Sequence, residues 1–345
     1  MCLKWGRSVE DFYQIISGLD YPGEKVVATI VHVKGSAYKR EGSSMLFFAE
    51  GTQLGMLTAG CLETDLAKKV EEVFKKQEAI IVQYDLSQED DLGWGQGAGC
   101  NGTIDILIEP VTEKVKEDFQ LVKTMLNRHK PVICLKKLDE LGEYVFIEED
   151  GEPFGNWSGP IPVIAFTSKS GVMPGNPAVF QHTFQPKPRL IVFGAGPDAI
   201  PLVSLAAETG FSVTVCDWRE AFCQKKYFPA ADELLLGLPA KLVKQITFSP
   251  YDFVVVMTHH FQRDQEIVMR VRNKNIKYLG VLGPRERTKR LFRSEDIPEW
   301  ISSPLGAAIG AKGPEEIAVS IMAEMIKVWR KPVHERVELL WTIPD

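Results

Sequence analysis

Five residues with strand character, Arg189-Leu190-Ile191-Val192-Phe193, run without a break into Gly194-Ala195-Gly196-Pro197-Asp198-Ala199 and then into a helical pattern. A strand that must become a helix within a few residues needs backbone freedom at the turn and a small side chain where helix and strand touch. Gly194 supplies the first and Ala199 the second, Gly196 lets backbone approach a phosphate, and Pro197 suits the first helical position. The free amides of the helix start would then face an anion. About 20 residues on, the next strand ends in Cys216-Asp217, where an acid can bond a ribose hydroxyl. Arg219 follows, which leaves NAD and NADP open. Further apolar strands are expected at 233–236, 253–257 and 278–282, with helical patterns between most of them. That alternation predicts an α/β fold, a Rossmann-like C-terminal domain with a parallel sheet over 189–330.

The first half has another rhythm. A helix is expected over 8–19, then strands at 26–33, 45–48, 54–57, 80–84 and 103–108. A clear amphipathic helix spans 62–77, with Leu62, Leu66, Val70, Val73 and Phe74 on one face. A helix over 114–127 and strands at 132–135 and 144–147 complete a smaller α+β domain over 1–150. Residues 151–188 are punctuated by Gly and Pro and read as a link, with strands at 163–166 and 179–184 able to pair with a sheet. Residues 331–345 form a tail. The Pro-rich link could exchange strands between chains, so a homodimer is expected.

Three places could carry chemistry. In such sheets ligands sit beyond the carboxyl ends of the strands, where 253–257 delivers Thr258-His259-His260 and, slightly later, Asp264. A histidine there could shuttle a proton with Asp264 holding its tautomer. A loop containing Arg40, rich in Gly and Ser, joins the first two strands of the first half and could cradle an anion. Cys61 stands at the start of the 62–77 helix, just before Glu63, where the dipole favours thiolate, and Cys100 lies in a glycine-rich loop before a strand. Cys134, Cys216 and Cys223 fall in or near apolar segments and read as small buried hydrophobes. His32, His129, His182 and His334 have no companions in sequence and read as structural or exposed.

A net charge of −6 argues against nucleic acid and anionic membranes as partners. No apolar run approaches the roughly 20 residues that span a bilayer, and the first residues lack a signal-peptide pattern, so a cytoplasmic location is expected. There the six cysteines would be reduced thiols, and with no CxxC pair no metal site is expected.

Taken in order, these marks resemble one family. Gly35-Ser36 through Arg40, Gly42 and Met45, then Gly60-Cys61-Leu62-Glu63, then Gly99-Cys100-Asn101-Gly102 with a strand ending Glu109-Pro110 mark its first domain. Gly194-Ala195-Gly196, Asp217-Trp218-Arg219, Thr258-His259 with Asp264, Gly280 to Gly283 with Arg285, and Pro304 through Ala311 with Pro314-Glu315-Glu316 mark its second. The chain is similar to the XdhC/CoxI family of xanthine dehydrogenase accessory proteins over most of its length. It departs at Ser36-Ala37-Tyr38-Lys39, where the family often has Ser-Ser-Pro-Arg, at Asn101, and at Pro284.

The resemblance implies a chaperone of purine catabolism, not a catalyst with turnover of its own. Such a protein binds molybdenum cofactor (molybdopterin) as cargo and shields it while a cysteine desulfurase exchanges an oxo ligand for sulfide. It then hands the cofactor to apo xanthine dehydrogenase or a related molybdenum hydroxylase. It implies Cys61 and Cys100 at the molybdenum end, with Arg40, Glu63, Gly194, Gly196, Asp217, His259 and Asp264 binding the cofactor in a shared cleft. Two other readings stay open: an oxidoreductase using NAD(P) at the Gly194 turn, and a redox or metal-binding module built on the two thiols.

Overall fold

Every side chain from Lys25 to Val31 is buried, so the first strand of the chain does not alternate between core and solvent. Both of its faces are covered. The computed structural model describes residues 11–58, 62–86, 101–164, 166, 169–294 and 296–330. They fall into two units, one ending at Pro186 and the other starting at Lys187.

The first unit opens with α1 (Asp11–Leu19), β1 (Lys25–Ser36), β2 (Ser44–Phe48), β3 (Gln53–Gly55), α2 (Glu63–Lys76), β4 (Ile80–Asp85) and β5 (Asn101–Pro110). The strands form an antiparallel sheet in the order β3-β2-β1-β5-β4. On one face Leu62, Leu66, Val70 and Val73 of the α2 segment pack on Val26, Ala28, Ile30 and Ile106. On the other, α1 sets Ile15, Ile16 and Leu19 against Val27 and Leu46. Two amphipathic helices thus cover most of the doubly buried strand, and Phe180 packs on Val31 at its end.

A second antiparallel sheet follows, built from α3 (Glu113–Asn127), β6 (Val132–Lys137), β7 (Tyr144–Glu148), β8 (Phe154–Asn156), β9 (Gly171–Met173) and β10 (Asn176–Phe184). Its order is β8-β7-β6-β10-β9. The Gly- and Pro-rich stretch therefore supplies three strands, and β10 lies inside the sheet, paired with β6 from Val179↔Lys137 to Phe184↔Val132. Val163, expected in a strand, lies outside any strand and is exposed.

The second unit runs β11 (Arg189–Phe193), α4 (Ala199–Glu208), β12 (Ser212–Asp217), β13 (Glu233–Leu236), α5 (Pro239–Gln245), β14 (Asp252–Val256), α6 (Phe261–Val271), β15 (Tyr278–Val281), α7 (Arg285–Phe292), β16 (Ile301–Ser302) and α8 (Gly313–Arg330). All six strands are parallel, in the order β13-β12-β11-β14-β15-β16. This is the expected Rossmann sheet, covered on one face by α4 and α8 and on the other by α5, α6 and α7. The two-residue β16 is too short to leave a periodic signal. No described helix is long and apolar enough to cross a membrane.

Candidate functional site at the switch point of the parallel sheet

The chain leaves β11 toward β12 on one side and resumes at β14 on the other, so a crevice opens beyond the ends of β11 and β14. Gly194 begins the turn there with φ of +122°, and a Cβ at this position would lie 2.4 Å from the Met257 carbonyl oxygen. Only glycine fits. The turn's amides, however, are partly spent inside the protein. Gly194 N–H donates to Cys216 O at 2.9 Å and Ala199 N–H to Gly196 O at 3.0 Å. Ala195 N–H donates to the Asp217 carboxylate at 2.7 Å. Pro197 has none to offer, so Gly196 and Asp198 carry the amides left for an outside acceptor.

Asp217 ends β12 as expected, with a fully buried side chain. Arg219 donates to it through its own backbone amide at 2.8 Å, Nε at 3.0 Å and Nη2 at 2.7 Å. Burial alone would raise the carboxyl's pKa; the bonds from the Arg219 guanidinium and from the Ala195 and Arg219 amides outweigh it and hold the group below the usual carboxylate range. The acid expected to receive a ribose hydroxyl is thus occupied by its own chain. The Arg219 guanidinium also lies between the rings of Trp218 and Phe222, 4.8 and 4.4 Å from their centroids.

The segment after β14 holds the exposed polar groups. His259 has φ of +58°, uncommon outside glycine, and its Nε2 lies 2.7 Å from Asp198 Oδ2. This pair spans the crevice from the end of β14 to the start of α4 and can hold or relay a proton at its mouth. The expectation for Asp264 is corrected here: its carboxylate does not touch a histidine ring. It accepts from Thr258 Oγ1 at 2.5 Å and from Arg287 Nη2 at 2.6 Å. Thr258 Oγ1 in turn accepts the His260 amide at 3.1 Å. Asp264 therefore positions the backbone that presents His259. The partner that sequence reasoning missed is Asp198, and its one signal was an acid inside the glycine turn. His260 points elsewhere, edge-on to Trp218 with ring centroids 5.9 Å apart.

In the first unit the register gathers a second set at one end of its first sheet. Ser36 pairs with Asn101 and Gly35 with Gly102, placing the residue after Cys100 beside the loop that carries Arg40. Asp65, in the first turn of α2, accepts from the Tyr84 hydroxyl at 2.9 Å near the same end. Arg40 is exposed, its Nη1 3.4 Å from Gly35 O. Cys61 and Cys100 lie outside the described residues, as does the side chain of Glu63. The three thiols assigned to apolar surroundings are found there, Cys134 and Cys216 buried and Cys223 half-buried. Burial pushes the Cys134 thiol up to about 12, which keeps it protonated and unreactive. No group of His, Cys, Asp and Glu among the described residues is arranged to hold a metal ion.

Comparison with known proteins gives the following. Residues 22–85 match the XdhC and CoxI family, 113–185 the BH1974-like central domain, and 190–325 the XdhC Rossmann domain. A Bacillus subtilis protein, named as a probable subunit of xanthine dehydrogenase, is 43% identical over 312 residues, 89% of this chain and 94% of that one. The Escherichia coli molybdenum cofactor insertion chaperone PaoD is 22% identical over 317 residues, 88% of this chain and 83% of its own. A crystal structure from Bacillus halodurans, titled as a xanthine dehydrogenase, superposes with a TM-score of 0.84 at 45% identity, covering 93% and 96% of the two chains.

Proposed function

The chain belongs to the XdhC and CoxI family, and from that premise we propose that it is an accessory protein of a molybdenum hydroxylase. It receives molybdenum cofactor as cargo, holds it while a cysteine desulfurase partner exchanges an oxo ligand for sulfide, and delivers it to apo xanthine dehydrogenase or a related hydroxylase. The observation that carries this reading is similarity along nearly the whole chain to proteins named for xanthine dehydrogenase and for molybdenum cofactor insertion. The crevice supports it over the dinucleotide alternative. A pyrophosphate would need the Ala195 amide and a ribose would need Asp217, and these two already bind each other.

Within this reading the soft thiolates of Cys61 and Cys100 hold the molybdenum end. In the second unit the Gly196 and Asp198 amides offer donors to an anionic group such as a phosphate; in the first unit Arg40 offers a donor of its own, and Glu63, two residues after Cys61, is a further cargo contact. The His259–Asp198 pair holds a proton at the mouth of the crevice, while Asp217 and Asp264 act by fixing the turn and the Thr258 segment. The protein works as a homodimer in the cytoplasm.

The test is anaerobic incubation of the purified protein with released molybdenum cofactor, read as oxidised pterin retained after ultrafiltration. Retention is expected, reduced in Cys61→Ala or Cys100→Ala and unaffected by NADH. Absence of retention together with saturable NADH binding would make the second unit an ordinary dinucleotide site.

A further inference from the structure

The charge of this chain is unevenly placed. Residues 261–293, which hold α6, β15 and α7, carry ten Lys and Arg against three Asp and Glu, a net of +7 in a chain whose total is −6. The other 312 residues therefore carry −13. Seven of the chain's fourteen arginines stand in these 33 residues.

The three acids of the stretch are committed. Asp264 binds Arg287, Glu266 pairs with Arg263 and Arg270, and Glu286 with Lys289. Arg272, Lys274, Arg285, Arg290 and Arg293 are exposed, and none makes an ion pair with a described residue. The exposed acids that follow, Asp296 and Glu299, pair with none of them.

Geometry concentrates these charges. α6 and α7 each follow a parallel strand, so they run in the same direction, and Gln265 Nε2 ties them together through the carbonyls of Arg290 and Leu291 at 3.3 and 3.2 Å. Arg272 caps the end of α6 and Arg293 the end of α7. Arg290 lies 5.2 Å over the Phe261 ring of α6. Helix dipoles favour cations at those ends, but they oppose Arg285, which opens α7. Holding on one layer five cations that no described acid pairs costs repulsion.

An anionic partner removes that cost. Arginine's planar fork suits carboxylates, and arginine is enriched where proteins meet while lysine is depleted. A long polyanion such as nucleic acid would also feel the −13 carried elsewhere, whereas an acidic patch of ordinary interface size would not extend beyond the layer. We infer that the α6–α7 layer is the docking surface for an acidic patch on a protein partner. Resting on the reading of this chain as an accessory protein, that partner is the hydroxylase client.

The test compares the full chain with the triple variant Arg272→Glu, Arg290→Glu, Arg293→Glu for binding to immobilised apo xanthine dehydrogenase, at about 50 mM and about 300 mM salt. Cargo retention and thermal midpoint are measured alongside. Wild-type binding is expected to weaken with salt, and the triple variant to bind about tenfold more weakly at low salt, mainly through slower association, with cargo retention unchanged. Each single reversal is tested beside it, about threefold expected, so that a folding failure of the triple variant does not remove the comparison. Equal binding by wild type and variants sinks the surface while the accessory reading stands. A wild type that retains cargo but does not bind the client also overturns the surface, and one that does neither overturns the reading itself. Binding of a short duplex DNA that the triple variant loses, with client binding intact, would assign the layer to nucleic acid instead.

Discussion

Asp217, the last residue of β12, and Asp264, in the first turn of α6 after β14, stand at the carboxyl-end edge of the parallel sheet, where a ligand would be sought, and both give their charge to the protein. Besides a near neighbour, Arg219 or Thr258, each has a partner far along the chain, Ala195 at 22 residues for one and Arg287 at 23 for the other. Sequence spacing places an acid at a sheet edge but does not say which distant amide or guanidinium it meets, so both residues read as cofactor contacts until the turns are seen together. The buried Asp264–Arg287 pair makes a prediction at this scale. Asp264→Ala strands a half-buried guanidinium and frees the Thr258 hydroxyl, which should cost about 3 kcal/mol in denaturant unfolding. Asp264→Asn, which keeps the acceptor to Thr258, should cost less; equal losses would mean that the Thr258 bond contributes nothing and that the whole loss comes from the charge.

At the scale of elements, periodicity located the long helices and the central strands to within a few residues, because their faces are set by burial. It missed the three-residue strands β8 and β9, which are shorter than any period can reveal, while the strand expected at 179–184 forms most of β10. The cross-strand pairing of His182 with Cys134 follows from that strand's register. Burial, reinforced by the nearby Lys136, pushes the His182 imidazole down to about 3. The folded protein therefore keeps this ring neutral, while the unfolded chain takes up a proton below its ordinary value near 6.5. Stability should fall as pH drops from 6.5 toward 3, by up to about 1.4 kcal/mol per pH unit from this group. His182→Gln should flatten that slope between pH 6.5 and 5 in denaturant titrations; unchanged slopes would place the acid sensitivity elsewhere.

For the whole molecule, the fold class was legible in the sequence as a smaller α+β part followed by a Rossmann-like domain with a parallel sheet, but the number of sheets in the first part was not. Two antiparallel sheets occupy it, each too small to show a distinct composition. The second unit owns a complete core on both faces of its sheet. A fragment from Lys187 to Lys331 should therefore fold on its own and melt in a single cooperative transition by circular dichroism. A fragment without a transition would show that its core depends on the rest of the chain.

Gly194 is required because Met257's carbonyl leaves no room for a side chain, whatever the turn binds. A glycine fingerprint preserved by such crowding is indistinguishable, to any pattern search, from one preserved by a dinucleotide. Chains of this kind will keep being sorted among the oxidoreductases by a motif whose pressing neighbour is their own backbone.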